Sequence, residues 1–148
     1  MTFAESLALN FEQFGLPLEA RIFLLKVWEC IQFLDDVKDG DPVENPAGAI
    51  YTLIVGLPCD EFLATHRAVL GGALATAYHK WQVANVIEDA RDETQLDKTY
   101  MWRAGYYDLV LLVAALTLPR ETVETIGPQV LALYGETMTD YRKEMTHA

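Results

Sequence analysis

The chain has 148 residues, 51% of them hydrophobic and 22% charged, which is enough apolar material for one core and too much for a disordered protein. Its 22 acidic residues against 11 basic ones leave a net charge of −11, a balance that opposes binding to nucleic-acid phosphates and to anionic membranes. The expectation is a single all-α domain over residues 1–148.

Thr2 and Glu5 form a capping-box pattern, and Phe3, Leu7, Phe11 and Phe14 follow at helical spacing until Gly15. Pro17 suits the start of a second helix that Gly40 and Pro42 stop. Along it, Ile22, Phe23, Leu25, Val27, Ile31 and Leu34 are expected to bury. Trp28, Gln32, Asp35, Asp36 and Asp39 share the other edge. Carboxylates gathered at a helix C-terminus oppose its dipole, so they call for solvation, basic partners or a bound cation. The D-x-D-x-D-G register of an EF-hand loop is not met by Asp36, Asp39 and Asp41.

Asn45 and Pro46 read as cap and first position of a short helix that Gly56 and Pro58 end. From Asp60 to about Arg91 the pattern is helical, with Gly71 and Gly72 expected to bend or delay it. Its later part repeats the earlier layout: Trp81, Asn85, Glu88, Asp89 and Asp92 fall along one edge. If the two acidic edges face each other, Asp35, Asp36, Asp39, Glu88, Asp89 and Asp92 could enclose Mg2+ or Mn2+, with Gln32 and Asn85 beside them. The alternative is two solvated faces, partly neutralised by Lys38, Lys80 and Arg91.

A helix from about Gln95 to Leu118 is expected to enter the core. At its polar start Lys98, Arg103, Tyr107 and Asp108 form either a buried register-fixing network or a phosphate-binding group, and Asp108, read as buried, needs Arg103 or Lys98 as partner. Pro119 opens a short element, and Gly127-Pro128 is expected to lead into the last helix. No stretch sustains strand alternation, so five to seven helices in a bundle are predicted. Cys30 and Cys59 lack metal-site spacing, which with an N-terminus unlike a signal peptide points to reduced thiols in a cytoplasm. The longest apolar run, Leu109 to Leu118, is too short to span a membrane. His66, His79 and His147 have no ligand company, and no nucleophile elbow, P-loop, dinucleotide fingerprint or HExxH occurs.

Asp35-Asp36-Val37-Lys38-Asp39 resembles the DDxxD motif of isoprenoid diphosphate synthases, and Glu88-Asp89-Ala90-Arg91-Asp92 resembles a degenerate second copy. The likeness covers two short helix ends and implies an all-α bundle holding Mg2+ against a diphosphate. Paired acidic helices also occur in the all-α nucleotide pyrophosphohydrolases, whose EExxE pattern is missing here. Over most of the chain, FLDDVKDGDP, the KW-containing helix and YMWRAGYYDLVLLVA are similar to small proteins of bacteriophages and prophages, which implies a cytoplasmic phage-type protein. Two functions therefore stand side by side. One is a non-enzymatic binding or assembly protein that offers an acidic site to a protein partner or to a second copy of itself. The other is a Mg2+-dependent enzyme acting on a diphosphate or nucleotide, with Lys98 or Arg103 on the substrate.

Overall fold

In the computed structural model, which describes residues 1–147, the described residues form helices and turns and no strand. Seven α-helices have seven residues or more, and two are shorter. The chain clusters into two compact units that meet between Leu70 and Gly71.

The first unit begins with α1 (Phe3–Gln13), started by the expected capping box: Thr2 Oγ1 accepts from the Glu5 amide at 3.1 Å, and the Thr2 amide donates to Glu5 Oε2 at 2.8 Å. Gly15, at φ +82°, turns the chain into α2 (Leu18–Asp39). That helix ends on Gly40 in the left-handed conformation, whose amide bonds to the Asp36 carbonyl as in a glycine C-cap. α1 packs on α2, and Leu7, Phe11, Phe23, Leu24 and Val27 are buried. Ile22 departs from the expectation at 43% exposed. It lies just outside the buried stripe formed by Phe23, Leu24 and Val27.

Asn45 caps α3 (Pro46–Tyr51) through the Gly48 amide, and the helix continues into a single π turn at Thr52–Gly56. A tight turn follows, and Asp60 caps α4 (Glu61–Thr65). Pro46–Thr65 has the length and mean hydropathy, 1.3, of a membrane span, yet the turn before Asp60 interrupts it. α3, the π turn and α4 all pack on α2. Asp60 is only 4% exposed, accepts from the Leu63 amide at 2.9 Å and pairs with Lys26 at 2.9 Å, fastening α4 to α2.

α5 (Arg67–Asp89) crosses from the first unit into the second without the break expected at Gly71-Gly72. The interruption comes earlier, at His66, where φ is −114°. Two glycines inside a long helix cost about 1 kcal/mol each, which the remaining turns of a 23-residue helix absorb. After a 3-10 turn at Glu93–Gln95, the expected single helix to Leu118 is instead two, α6 (Leu96–Trp102) and α7 (Gly105–Thr117). The Arg103 and Ala104 amides turn back to the Thr99 and Met101 carbonyls, closing α6. Gly105 then brings α7 to within 3.7 Å of the Ala77 backbone, measured from where a Cβ would stand.

α8 (Arg120–Ala132) lies against α7 and runs straight through Gly127-Pro128, which was expected to be a boundary. Burial of Ile126 and Val130 on either side holds the helix across the missing N–H. The last helix, α9 (Met138–His147), starts only after Gly135 and packs on α6.

Candidate functional site

Two polar places stand out, one in each unit. In the first, α1, α2 and the loop leading to α3 enclose an open cleft of about 580 Å³. Residues 25, 28, 29, 32, 33 and 36 recur at three- and four-residue steps on α2, so one continuous stripe faces the opening. Leu25, Trp28 and Phe33 supply its apolar part, and Gln32 and Asp36 its polar part. Trp28 is held from α1 by the Phe3 ring, with centroids 4.9 Å apart. α1 contributes only Ala4, Glu5 and Ala8, and the shortness of the alanines is what leaves the space.

Four carboxylates line this cleft, from Glu5, Glu29, Asp36 and Glu44, and no lysine or arginine does. Glu5 is engaged in the α1 cap. Glu29 and Glu44 are exposed, Asp36 half-buried, and among the described residues no ion pair neutralises these three. The field of Glu29, added to burial as the larger cause, pushes the neighbouring Cys30 thiol up to about 11. Trp28, Gln32 and Asp36 were legible as one edge in the sequence. Glu29 and Glu44 were not: Glu29 sits one step off that edge, and Glu44 reaches it from a loop. Asp35 is half-buried and Asp39 exposed, and neither lines the cleft.

In the second unit, Arg103 lies at the α6–α7 junction and reaches α5. Its Nη1 donates to Glu88 Oε1 at 2.8 Å, to Glu88 Oε2 at 3.4 Å and to Asn85 Oδ1 at 3.2 Å. The Glu88 side chain is 9% exposed and that of Arg103 19%, so this is a nearly dry ion pair. Asn85 is buried, and among the described residues its Nδ2 finds no hydrogen-bond partner. Around the pair stand Tyr107, expected from the sequence to join this network, and Tyr100, Tyr134 and Tyr141, which the sequence did not single out. Tyr134 stacks on Tyr100 and Tyr107 at 5.0 and 5.5 Å. Its hydroxyl donates to the Tyr100 carbonyl, and the Tyr100 hydroxyl donates to the Glu136 carbonyl. Thr99 gives its proton to the Leu96 carbonyl, so the 2.6 Å contact with Tyr141 is one in which Tyr141 donates.

Burial pushes the Tyr107 hydroxyl up to about 12 and raises Tyr106 and Tyr134 further. All three are neutral phenols at physiological pH, donors rather than bases. Glu136 is raised first by burial and then by Glu144, with Arg103 and Tyr134 pulling the other way. Tyr141 reaches this cluster from 42 residues beyond its partner Thr99, a separation that helical spacing does not reveal.

Asp108 is a correction. It is 74% exposed and pairs with Lys80 at 3.0 Å, while Lys80 also stands 5.7 Å from the Trp102 ring centre. The break before Gly105 puts Asp108 in the first turn of α7, pointing to solvent beside α5, instead of at a buried threshold. Lys98 is exposed, and Trp81 is half-buried beside Tyr78, 6.1 Å between centroids. A smaller cavity of about 230 Å³, edged by Lys80 and Asp108, lies between α5 and α7.

The six carboxylates proposed as metal ligands divide between the units, Asp35, Asp36 and Asp39 in the first and Glu88, Asp89 and Asp92 in the second. Glu88 is committed to Arg103, and Asp92 Oδ1 caps the 3-10 turn through the Thr94 amide and hydroxyl at 3.1 and 2.6 Å. Among the described residues no three His, Cys, Asp or Glu side chains are grouped to hold a metal ion. Comparison with known protein families, with curated proteins and with solved structures finds no match for this chain.

Proposed function

We propose that this chain is a non-enzymatic binding protein whose first unit receives a basic segment of a protein partner in the cleft between α1 and α2. The observation that carries the reading is the lining of that cleft, where Glu29, Asp36 and Glu44 stand beside an apolar floor and, among the described residues, no cation pairs with them. Free carboxylates on a concave, partly apolar wall attract cationic side chains and give them desolvated surface to pack on. The net charge of −11 steers basic partners from a distance. The Arg103–Glu88 centre has the opposite character, since its charges are consumed internally and its phenols are held protonated, so it serves as the fixing network of the second unit. A cytoplasmic assembly or host-factor-binding role, in keeping with the resemblance to bacteriophage proteins, is the setting we favour.

The test is a fluorescence-anisotropy titration of the full chain with a short, flexible, arginine-rich peptide. Saturable binding is expected. It should weaken about tenfold when Glu29→Gln and Asp36→Asn are combined, the loss of two partly exposed charge pairs. Equal affinity in wild type and variant would overturn the assignment to this cleft.

A further inference from the structure

The outward face of α5 is uncharged for about five turns. Its exposed positions from Ala68 to Val86 carry no Asp, Glu, Lys or Arg, in a chain whose net charge is −11. A solvated helix face is ordinarily charged. Lys80, in the same stretch, is half-buried and turned aside to Asp108. Along the open face Ala68, Gly72, Ala75, His79, Gln82 and Val86 recur at alternating steps of four and three, the spacing of a two-helix seam. On the opposite side of the helix Leu70 and Ala84 are fully buried, and Ala77 between them packs against Gly105.

Gly71 and Gly72 give this face a purpose. Both have ordinary helical backbone, and among the described residues a Cβ added at either would meet no atom within 4 Å. Nothing in the chain's own packing therefore requires glycine there, although each one weakens the helix. Bare backbone on a helix surface lets a second helix approach closely.

Charge identifies the partner. Two copies of a chain at −11 repel wherever acid faces acid, so they can meet only on a face that acids avoid, whereas a basic partner would be drawn to the acidic surfaces instead. The face is also graded in size, small at Gly71, Gly72 and Ala75 and larger at His79, Gln82 and Val83. We propose that the chain forms a homodimer in which two α5 helices pack antiparallel about a two-fold axis. His79 then lies over Ala75, Gln82 over Gly72 and Val83 over Gly71, so that each larger residue meets a small one of the other copy. The same alignment brings Arg67, at the start of α5, to within about one turn of the other copy's Asp89 at its end, and it opposes the two helix dipoles. A parallel pair would set Arg67 beside Arg67 and valine beside valine. The dimer does not depend on what the acidic cleft binds.

The test is sedimentation equilibrium of the full chain from about 1 to 100 μM. Wild type should reach twice its chain mass of 16.6 kDa. Gly71→Gln combined with Gly72→Gln should weaken association at least about tenfold while raising the thermal midpoint of the dilute protein, because glutamine is the better helix former and both positions have open space. Val83→Glu with Val86→Glu, at positions 41% and 59% exposed, should weaken it through repulsion and reads the same face without touching the glycines. With Cys59→Ser in place to remove the exposed native thiol, Ala75→Cys with His79→Cys should cross-link two copies under an oxidant, and Ala75→Cys alone should not. A single-chain mass at every concentration overturns the dimer. A dimer that survives both face variants overturns its assignment to α5. Rapid cross-linking through Ala75→Cys alone makes the pair parallel and overturns the antiparallel alignment.

Discussion

The Arg103–Glu88 pair offers the sharpest test of the division of labour between the two units. Arg103→Met keeps the length and packing of the stem but removes the guanidinium. A Glu88 carboxylate only 9% exposed is then left without its cation, and Asn85, whose Nδ2 is already unpartnered, loses the donor to its Oδ1 as well. Breaking a buried pair from one side costs about 3–5 kcal/mol, and the residual solvent access to Arg103 places this one near 3 kcal/mol. Glu88→Gln keeps an acceptor for Arg103 and should cost less, about 1–2 kcal/mol. If the charges contribute mainly by answering each other, the double variant Glu88→Met with Arg103→Met should be more stable than Arg103→Met alone by about 2 kcal/mol. Urea unfolding followed by circular dichroism reads all three midpoints. A cost below about 0.5 kcal/mol for Arg103→Met, with an unchanged denaturant slope, would refute the network reading. It would return Arg103 to the role of a ligand-binding cation.

Three further outcomes follow from the same geometry. Glu136 is held above its ordinary value of 4.5, chiefly by burial and then by Glu144, so the folded state binds its proton more tightly than the unfolded state does. Its contribution is favourable below the unfolded value and is lost as pH rises through the folded one. Glu136→Gln should therefore stabilise the protein at pH 7, with the gain shrinking as the pH is lowered through the carboxylate range; a gain independent of pH would contradict this. Cys59 is exposed, whereas Cys30 is buried and raised to about 11, so a chromogenic disulfide reagent at neutral pH should label one thiol rapidly in the native protein and a second only in denaturant. Pro128 lies inside α8 with an exposed ring, and Pro128→Ala should restore a helical N–H and raise stability by about 1–3 kcal/mol in thermal unfolding.

The parts of this molecule that were readable in advance are those whose cause is local. The Thr2–Glu5 cap, the stops at Gly15 and Gly40 and the Asn45-Pro46 start each depend on residues three or four apart, and each stands where the sequence places it. The misplaced boundaries share a different origin. Gly71-Gly72 and Gly127-Pro128 are weak helix formers that the sequence treats as ends, yet each lies within a helix long enough for packing on either side to outweigh a local penalty. Conversely, Arg103-Ala104 carries no strong breaker and is nevertheless a boundary, because Arg103 is drawn to Glu88 and Asn85 on α5 and α7 closes on Ala77 through Gly105. The same logic governs function. The edge formed by Trp28, Gln32 and Asp36 is a property of one helix, so spacing alone finds it. What that edge becomes depends on what the other walls carry, and those walls bring alanines from α1 and Glu44 from a loop. Acidic residues along a helix thus mark where positive charge is attracted, and the small residues opposite them leave the room that makes a cleft of that edge.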